Sequence, residues 1–230
     1  MQYLDPASLF TTVDNVSEAL FFGKVISAEE KTAVADFIVD RQGKPFAYGD
    51  TFAPTEADLE RDLVLFTGEK IRTAVGKCHV IGEEAGRILR KLDATSGNVR
   101  YALKRADDGM RERIYRNRER PRYGFGMFCC KPCSSALWLN LTAGGLGNDA
   151  AMLEAGFREL RRFRDGEGRW KGFPYYYILY VLGEAGPDAA REELRYAAPG
   201  AERILKRLGS GGDKYGLRRK GVCERVLEIV

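Results

Sequence analysis

Residues 175–182, YYYILYVL, carry an aromatic or aliphatic side chain at every position. Wound into a helix, such a segment has no polar face, so other elements must enclose it on all sides. Residues 134–141, SSALWLNL, have nearly the same character. The segments 27–40, 55–67, 149–164 and 214–229 differ, because their apolar residues recur at helical spacing and leave a charged outer face. Leu59, Leu63 and Phe66 mark one such stripe; Leu153, Phe157, Leu160 and Phe163 mark another. No stretch alternates like strands joined by hairpin turns. The pattern predicts an all-α chain of about ten helices. Enclosed inner helices wrapped by amphipathic outer ones suggest stacked helical hairpins, as in an α-solenoid or an α/α toroid.

Local signals place the helix ends. Ser27 with Glu30 and Thr55 with Asp58 have capping-box spacing, and Asp213 caps the last helix. Pro174 and Pro199 suit first-turn positions, where no N–H donor is needed. TAGGLG, residues 142–147, reads as a helix-terminating loop, with Asn148 as the cap of the next helix. With 230 residues, 44% of them apolar, the chain can bury one sizeable core. It reads as a single helical domain over 1–230, with a loose boundary conceivable near 94–98. The start, MQYLDPASLF, lacks the basic and apolar regions of a signal peptide, and no run of 18 uncharged apolar residues exists. Five scattered cysteines do not resemble a secreted disulfide framework. The expectation is a cytoplasmic protein with reduced thiols and no membrane partner.

Two turns look alike. FIVDRQGKPFAYGDTFAPT (37–55) and LRRFRDGEGRWKGFPYYY (160–177) each run from a helix ending in Arg, through a polar residue and Gly, to an aromatic and then Phe before the next helix. Arg41-Gln42-Gly43 aligns with Arg164-Asp165-Gly166, Phe46 or Tyr48 with Trp170, and Phe52 with Phe173. RERPRYGFGMFCCKPC (118–133) is a looser third version, with Tyr123, Phe125 and Phe128 ahead of Pro132. Repeated turns imply repeated geometry. The DGEGRW turn before an aromatic-rich helix resembles the Gln-Trp and Asp-Gly-x-Trp turns of the terpenoid cyclase and protein prenyltransferase superfamily. That resemblance implies an α/α toroid whose inner helices line an aromatic cavity. The Asp-x-Asp-Asp and zinc motifs of those enzymes have no clear counterpart, so it carries a fold and no activity.

The densest local chemistry lies in GFGMFCCKPCSSALW, residues 124–138. Cys130-Lys131-Pro132-Cys133 is a C-x-x-C at the expected start of an inner helix, where the helix dipole and Lys131 both favour a thiolate. Cys129, Cys130 and Cys133 fit three roles: a redox pair or nucleophile, part of a zinc site, or small residues packing at a helix start. A zinc ion needs a fourth donor, for which Cys78, His79 and Cys223 are the candidates. His79 is the sole histidine and stands four residues before Glu83, so on a helix the two share a face, as metal ligands or an acid–base pair would. The pattern favours the plainer reading, a surface i,i+4 hydrogen bond. No nucleophile elbow and no phosphate-binding Gly-rich loop is present.

Three function classes remain. The first is a binder of a small apolar or aromatic ligand, in a cavity where Tyr48, Asp50, Cys130, Cys133, Trp170 and Tyr176 converge. The second is a helical-repeat scaffold for protein partners. The third is a nucleic-acid binder. Arg100–Arg122 holds nine Arg or Lys against four Asp or Glu, and Arg203–Arg225 eight against two. Zinc is the cofactor the residue types admit.

Overall fold

The computed structural model describes residues 2–118, 126–207 and 212–230. In chain order its elements are α1 (Leu9–Phe21), α2 (Ala28–Asp40), α3 (Glu56–Glu60), the strands β1 (Leu63–Val64) and β2 (Lys70–Ile71), α4 (Ala74–Lys91), α5 (Gly97–Arg118), α6 (Lys131–Thr142), α7 (Gly145–Asn148), α8 (Ala150–Arg161), α9 (Tyr175–Leu205) and α10 (Lys214–Ile229). Helices dominate, as expected, with one small antiparallel hairpin pairing Leu63 with Ile71. Among the described residues no helix is long and apolar enough to cross a membrane. The third copy of the turn falls largely on residues 119–125, outside the described residues, and so do parts of both basic segments.

Both capping boxes form. Ser27 accepts from the Glu30 amide while Glu30 returns to the Ser27 amide, and Thr55 and Asp58 do the same. Asp58 does more: its buried carboxylate also accepts from the amides of Leu9 and Phe10, at 3.0 and 3.3 Å, and so caps the N-terminus of α1 as well. Asp213 caps α10 through the Gly216 amide.

Four boundaries differ from expectation. The helix over 55–67 stops at Glu60, because Leu63 is buried by strand pairing and the Thr67-Gly68 turn folds the chain back, with Gly68 at φ 90°. Helical period and hairpin burial use the same apolar residues there. Pro174 stands at the N-cap of α9, not inside its first turn, and Pro199 lies within the helix. The first-turn proline is instead Pro187: Gly186, at φ 76° and ψ 177°, breaks α9 just before it. The residue before a proline is disfavoured in helical ψ, and only glycine takes this φ easily. Asp149, not Asn148, caps α8, through the Met152 amide.

The inner layer consists of α6, the first half of α9 and α4, with α1, α8 and α10 packed outside it. Trp138 of α6 is fully buried; it donates to the Gly126 carbonyl at 2.7 Å and stacks on Phe173. α4 is enclosed despite its charges, since every residue from His79 to Leu89 is buried. Arg87 donates to Glu84 at 2.8 Å and to Ser17 at 2.6 Å, and the Tyr177 hydroxyl donates to the other oxygen of Glu84. Each charge therefore has a cross-helix partner, the condition under which burial is tolerable. Arg218 of α10 likewise reaches Asp14 and Glu18 of α1, at 2.7 Å each, and ties the two ends of the chain together.

The two similar turns each close in an isolated antiparallel bridge, Gln42 with Phe52 and Arg164 with Trp170, though the registers differ. In the second, Trp170 is clasped from outside: its indole N–H donates to Glu193 at 2.8 Å, and Arg164 holds the same carboxylate at 2.7 Å. A small, partly open pocket of about 20 Å³, room for one water, lies between α1, the hairpin and α4.

Candidate metal centre

The start of α6 is shaped by its sequence. Cys130 is the N-cap and Pro132 occupies the first turn, where its missing N–H costs nothing. The Ser134 hydroxyl accepts from the Phe128 amide and donates to the Phe128 carbonyl, both at 2.8 Å, and so fastens the preceding loop to the helix. Between them Cys129 adopts φ 54°, a left-handed conformation that costs a non-glycine residue about 1–2 kcal/mol. The reversal at Cys129 folds its side chain back toward α6.

α4 supplies the second part. His79 sits one turn inside that helix, only 5% exposed. Its ring lies 3.9 Å from that of Tyr48 and 5.1 Å from that of Phe128, centroid to centroid, and Tyr48 is in turn covered by the Arg113 guanidinium. The loop carrying Tyr48 reaches this place because Gly109 of α5 has no side chain: a Cβ there would lie 2.0 Å from the Gly49 carbonyl oxygen.

These segments bring three donors together. One donor atom each of His79, Cys129 and Cys133 lies within 4.8 Å of the others, and Cys130 Sγ lies 3.3 Å from Cys133 Sγ. Four donors on one tetrahedral zinc ion, at 2.0–2.3 Å from it, are about 3.3–3.8 Å apart. His79, Cys129 and Cys133 lie within about an ångström of that spacing, and Cys130 is at it with respect to Cys133. The Nδ1 of His79 is buried and has no hydrogen-bond partner. Burial pushes the ring's pKa down to about 4, with Cys130 opposing and Arg113 reinforcing, so the imidazole is neutral at physiological pH and available as a ligand. Among the sulfurs, hydrogen bonds from Cys129 and then Cys133 hold Cys130 well below the usual thiol range. Cys129 and Cys133 are pushed up, each first by its hydrogen bond to a neighbouring cysteine. One thiolate shared among three sulfurs accounts for all three directions.

Glu83 does not join the donor set. It faces Asn140 of α6, which donates to it at 2.6 Å, and its second oxygen is buried without a partner. The expected surface hydrogen bond between His79 and Glu83 is absent, because both side chains point into the contact between α4 and α6 and not to solvent. Burial pushes the Glu83 pKa up to about 7.

The six residues expected to converge divide. Tyr48, Cys130 and Cys133 meet at this centre. Asp50 is in the same loop, but its carboxylate lies 3.6 Å from Arg105 of α5. Trp170 is held by Glu193, and Tyr176 donates its amide to Glu69 at 2.9 Å with its ring under Arg219. Of the candidates for a fourth donor, His79 is the one delivered. Cys78 and Cys223 stand outside the cluster, their thiols pushed up by burial, that of Cys223 to about 12. Two contributors escaped the sequence reading, Asn140 and Arg113. Gly82 and Gly86, four apart on α4, are the signal that could have exposed the first, since Gly86 faces the Asn140 amide. Comparison with protein-family models, curated proteins and solved structures finds no match, so the centre stands on this chain's own geometry.

Proposed function

We propose that this protein binds a thiophilic metal ion, zinc by its donor set, through Cys129, Cys133 and His79, with Cys130 as the fourth ligand. The observation that carries the reading is a buried histidine, its Nδ1 without a hydrogen-bond partner, with one ring nitrogen within 4.8 Å of two thiols about fifty residues away in the chain. Packing alone leaves Nδ1 desolvated and unbonded, at a cost of about 1–3 kcal/mol, which an ion bound at that nitrogen would remove. Sulfur and imidazole donors select zinc or another soft ion over magnesium or calcium. The ion would staple the loop before α6 to α4. Because Cys130 is exposed, that ligand could give way to a small molecule from solvent.

The aromatic group of Tyr48, His79 and Phe128 beside the sulfurs also supports the ligand-binding expectation, with an apolar or aromatic molecule at this same place. The two bridged turns and the enclosed inner helices support a toroid-like stack with the centre at one end of its inner layer. The nucleic-acid reading receives less support, since many described cations of the basic segments are paired internally, among them Arg105, Arg116, Arg218 and Arg225.

The test is metal analysis of protein purified under reducing conditions and reconstituted with zinc. About one zinc per chain is expected for the wild type. His79→Ala and Cys133→Ser should lose it while keeping a helical circular-dichroism spectrum, and Cys78→Ser should retain it. Equal zinc in all four proteins would refute the assignment.

A further inference from the structure

Two of the four sulfur and nitrogen donors stand in a relation that metal binding does not require. Cys130 Sγ and Cys133 Sγ are 3.3 Å apart, and a disulfide needs them at about 2.05 Å, an approach of little more than one ångström. They also differ in access. Cys130 is exposed at the N-cap of a twelve-residue helix, whereas Cys133 is completely buried one turn later. An incoming disulfide can therefore reach only the first sulfur, and only the second is placed to displace it. The positive end of the α6 dipole favours the thiolate at its cap, and a ring nitrogen of buried His79 lies within 4.8 Å of Cys133 Sγ.

We propose that Cys130 and Cys133 are a reversible dithiol–disulfide couple that exchanges with small disulfides of the glutathione class. The Cys130 thiolate attacks one sulfur of the incoming disulfide, forming a mixed disulfide and expelling one glutathione thiolate. The Cys133 sulfur then attacks Cys130 Sγ, its proton passing to the second glutathione thiolate as that leaves. Two electrons move from the cysteine pair to glutathione disulfide, and two glutathione thiols result once the first thiolate expelled takes a proton from solvent. Cys129, half-buried, remains reduced. The couple does not depend on metal. A consequence that does rest on the metal centre proposed above is exclusion: the disulfide consumes two of four donors, so oxidation ejects the ion.

The full-length protein, reduced and stripped with chelator, is incubated with glutathione disulfide, alkylated, and read by intact mass and peptide mapping. The wild type should lose two hydrogen masses, with one bond mapped to Cys130 and Cys133. Cys133→Ser should instead accumulate one glutathionyl group on Cys130, and Cys129→Ser should still close the bond. A persistent glutathionyl adduct on the wild type, a bond to Cys129, or all five sulfurs still open to alkylation would each overturn the couple. Zinc-loaded protein run in parallel should release one ion per disulfide formed. If no zinc loads, the metal reading fails and the couple is judged on the stripped protein alone; if zinc loads and stripped protein forms no bond, the couple fails and the centre stands.

Discussion

Glu83→Gln should make the protein more stable at alkaline pH, by an amount that grows with pH. The Glu83 carboxyl is fully enclosed between α4 and α6; Asn140 satisfies one oxygen and nothing satisfies the other. Burial raises its pKa from 4.5 to about 7. Below pH 4.5 the folded and unfolded chains both hold the proton. Between 4.5 and 7 the unfolded chain releases it while the folded chain keeps it, so stability falls as pH rises. Above 7 the fold carries a buried charge and the loss is complete. At about 1.4 kcal/mol per pH unit, the loss is about 3 kcal/mol. Glutamine keeps the acceptor for Asn140 and has no charge to bury. His79 works in the opposite direction: its pKa falls from 6.5 to about 4, so its contribution is present above 6.5 and lost as pH falls to 4. That contribution is common to both proteins and cancels in their difference. Urea unfolding of the zinc-free wild type and variant at pH 4.5, 6, 7 and 8 measures it. The difference should grow in favour of glutamine by about 3 kcal/mol from the lowest pH to the highest, equivalent to a melting-temperature gap of about 6–12 °C for a chain of this size. A difference that stays constant with pH would refute the claim that Glu83 is neutral in the fold.

The contacts set three further outcomes. Arg218→Ala should cost up to about 3 kcal/mol in urea unfolding, because it leaves the nearly buried Asp14 to the half-exposed Lys214, 3.2 Å away, beside Glu18; adding Asp14→Asn should recover part of the loss. Gly109→Ala should lower stability by about 1–3 kcal/mol and weaken zinc affinity in a chelator competition, since its Cβ pushes the Tyr48 loop off α5. Gly97→Ala on the same helix meets nothing within 4 Å and should change neither. Tyr177→Phe should destabilise the protein by about 1–3 kcal/mol in the same urea assay, by leaving a Glu84 oxygen without its donor.

What the sequence shows of this fold is whatever local chemistry decides. The caps at Ser27, Thr55 and Asp213 are determined by residues three apart, and YYYILYVL is inner because no face of it can meet water. α4 hid because its enclosure depends on partners far along the chain: Ser17 and Tyr177 for the Arg87–Glu84 pair, Asn140 for Glu83. Read alone, GKCHVIGEEAGRILRK has the charges of a surface helix. The hairpin hid for the converse reason, since Leu59, Leu63 and Phe66 fit a helical stripe until the Thr67-Gly68 turn is weighed against it. In the centre, the cysteine run was visible and its histidine was named as one candidate among three. Its selection needed the parallel contact of α4 with α6, which sets His79 beside Cys133 and Gly86 beside Asn140.

The most direct test of the metal centre is the visible absorption of the reduced protein titrated with cobalt(II), a spectroscopic stand-in for zinc. The account predicts intense bands of a tetrahedral ion with sulfur-to-metal charge transfer, saturating at about one equivalent and bleached by zinc. His79→Ala should alter the band positions, and Cys133→Ser should weaken the charge transfer. A weak spectrum of hydrated cobalt, or one that neither substitution changes, would contradict it.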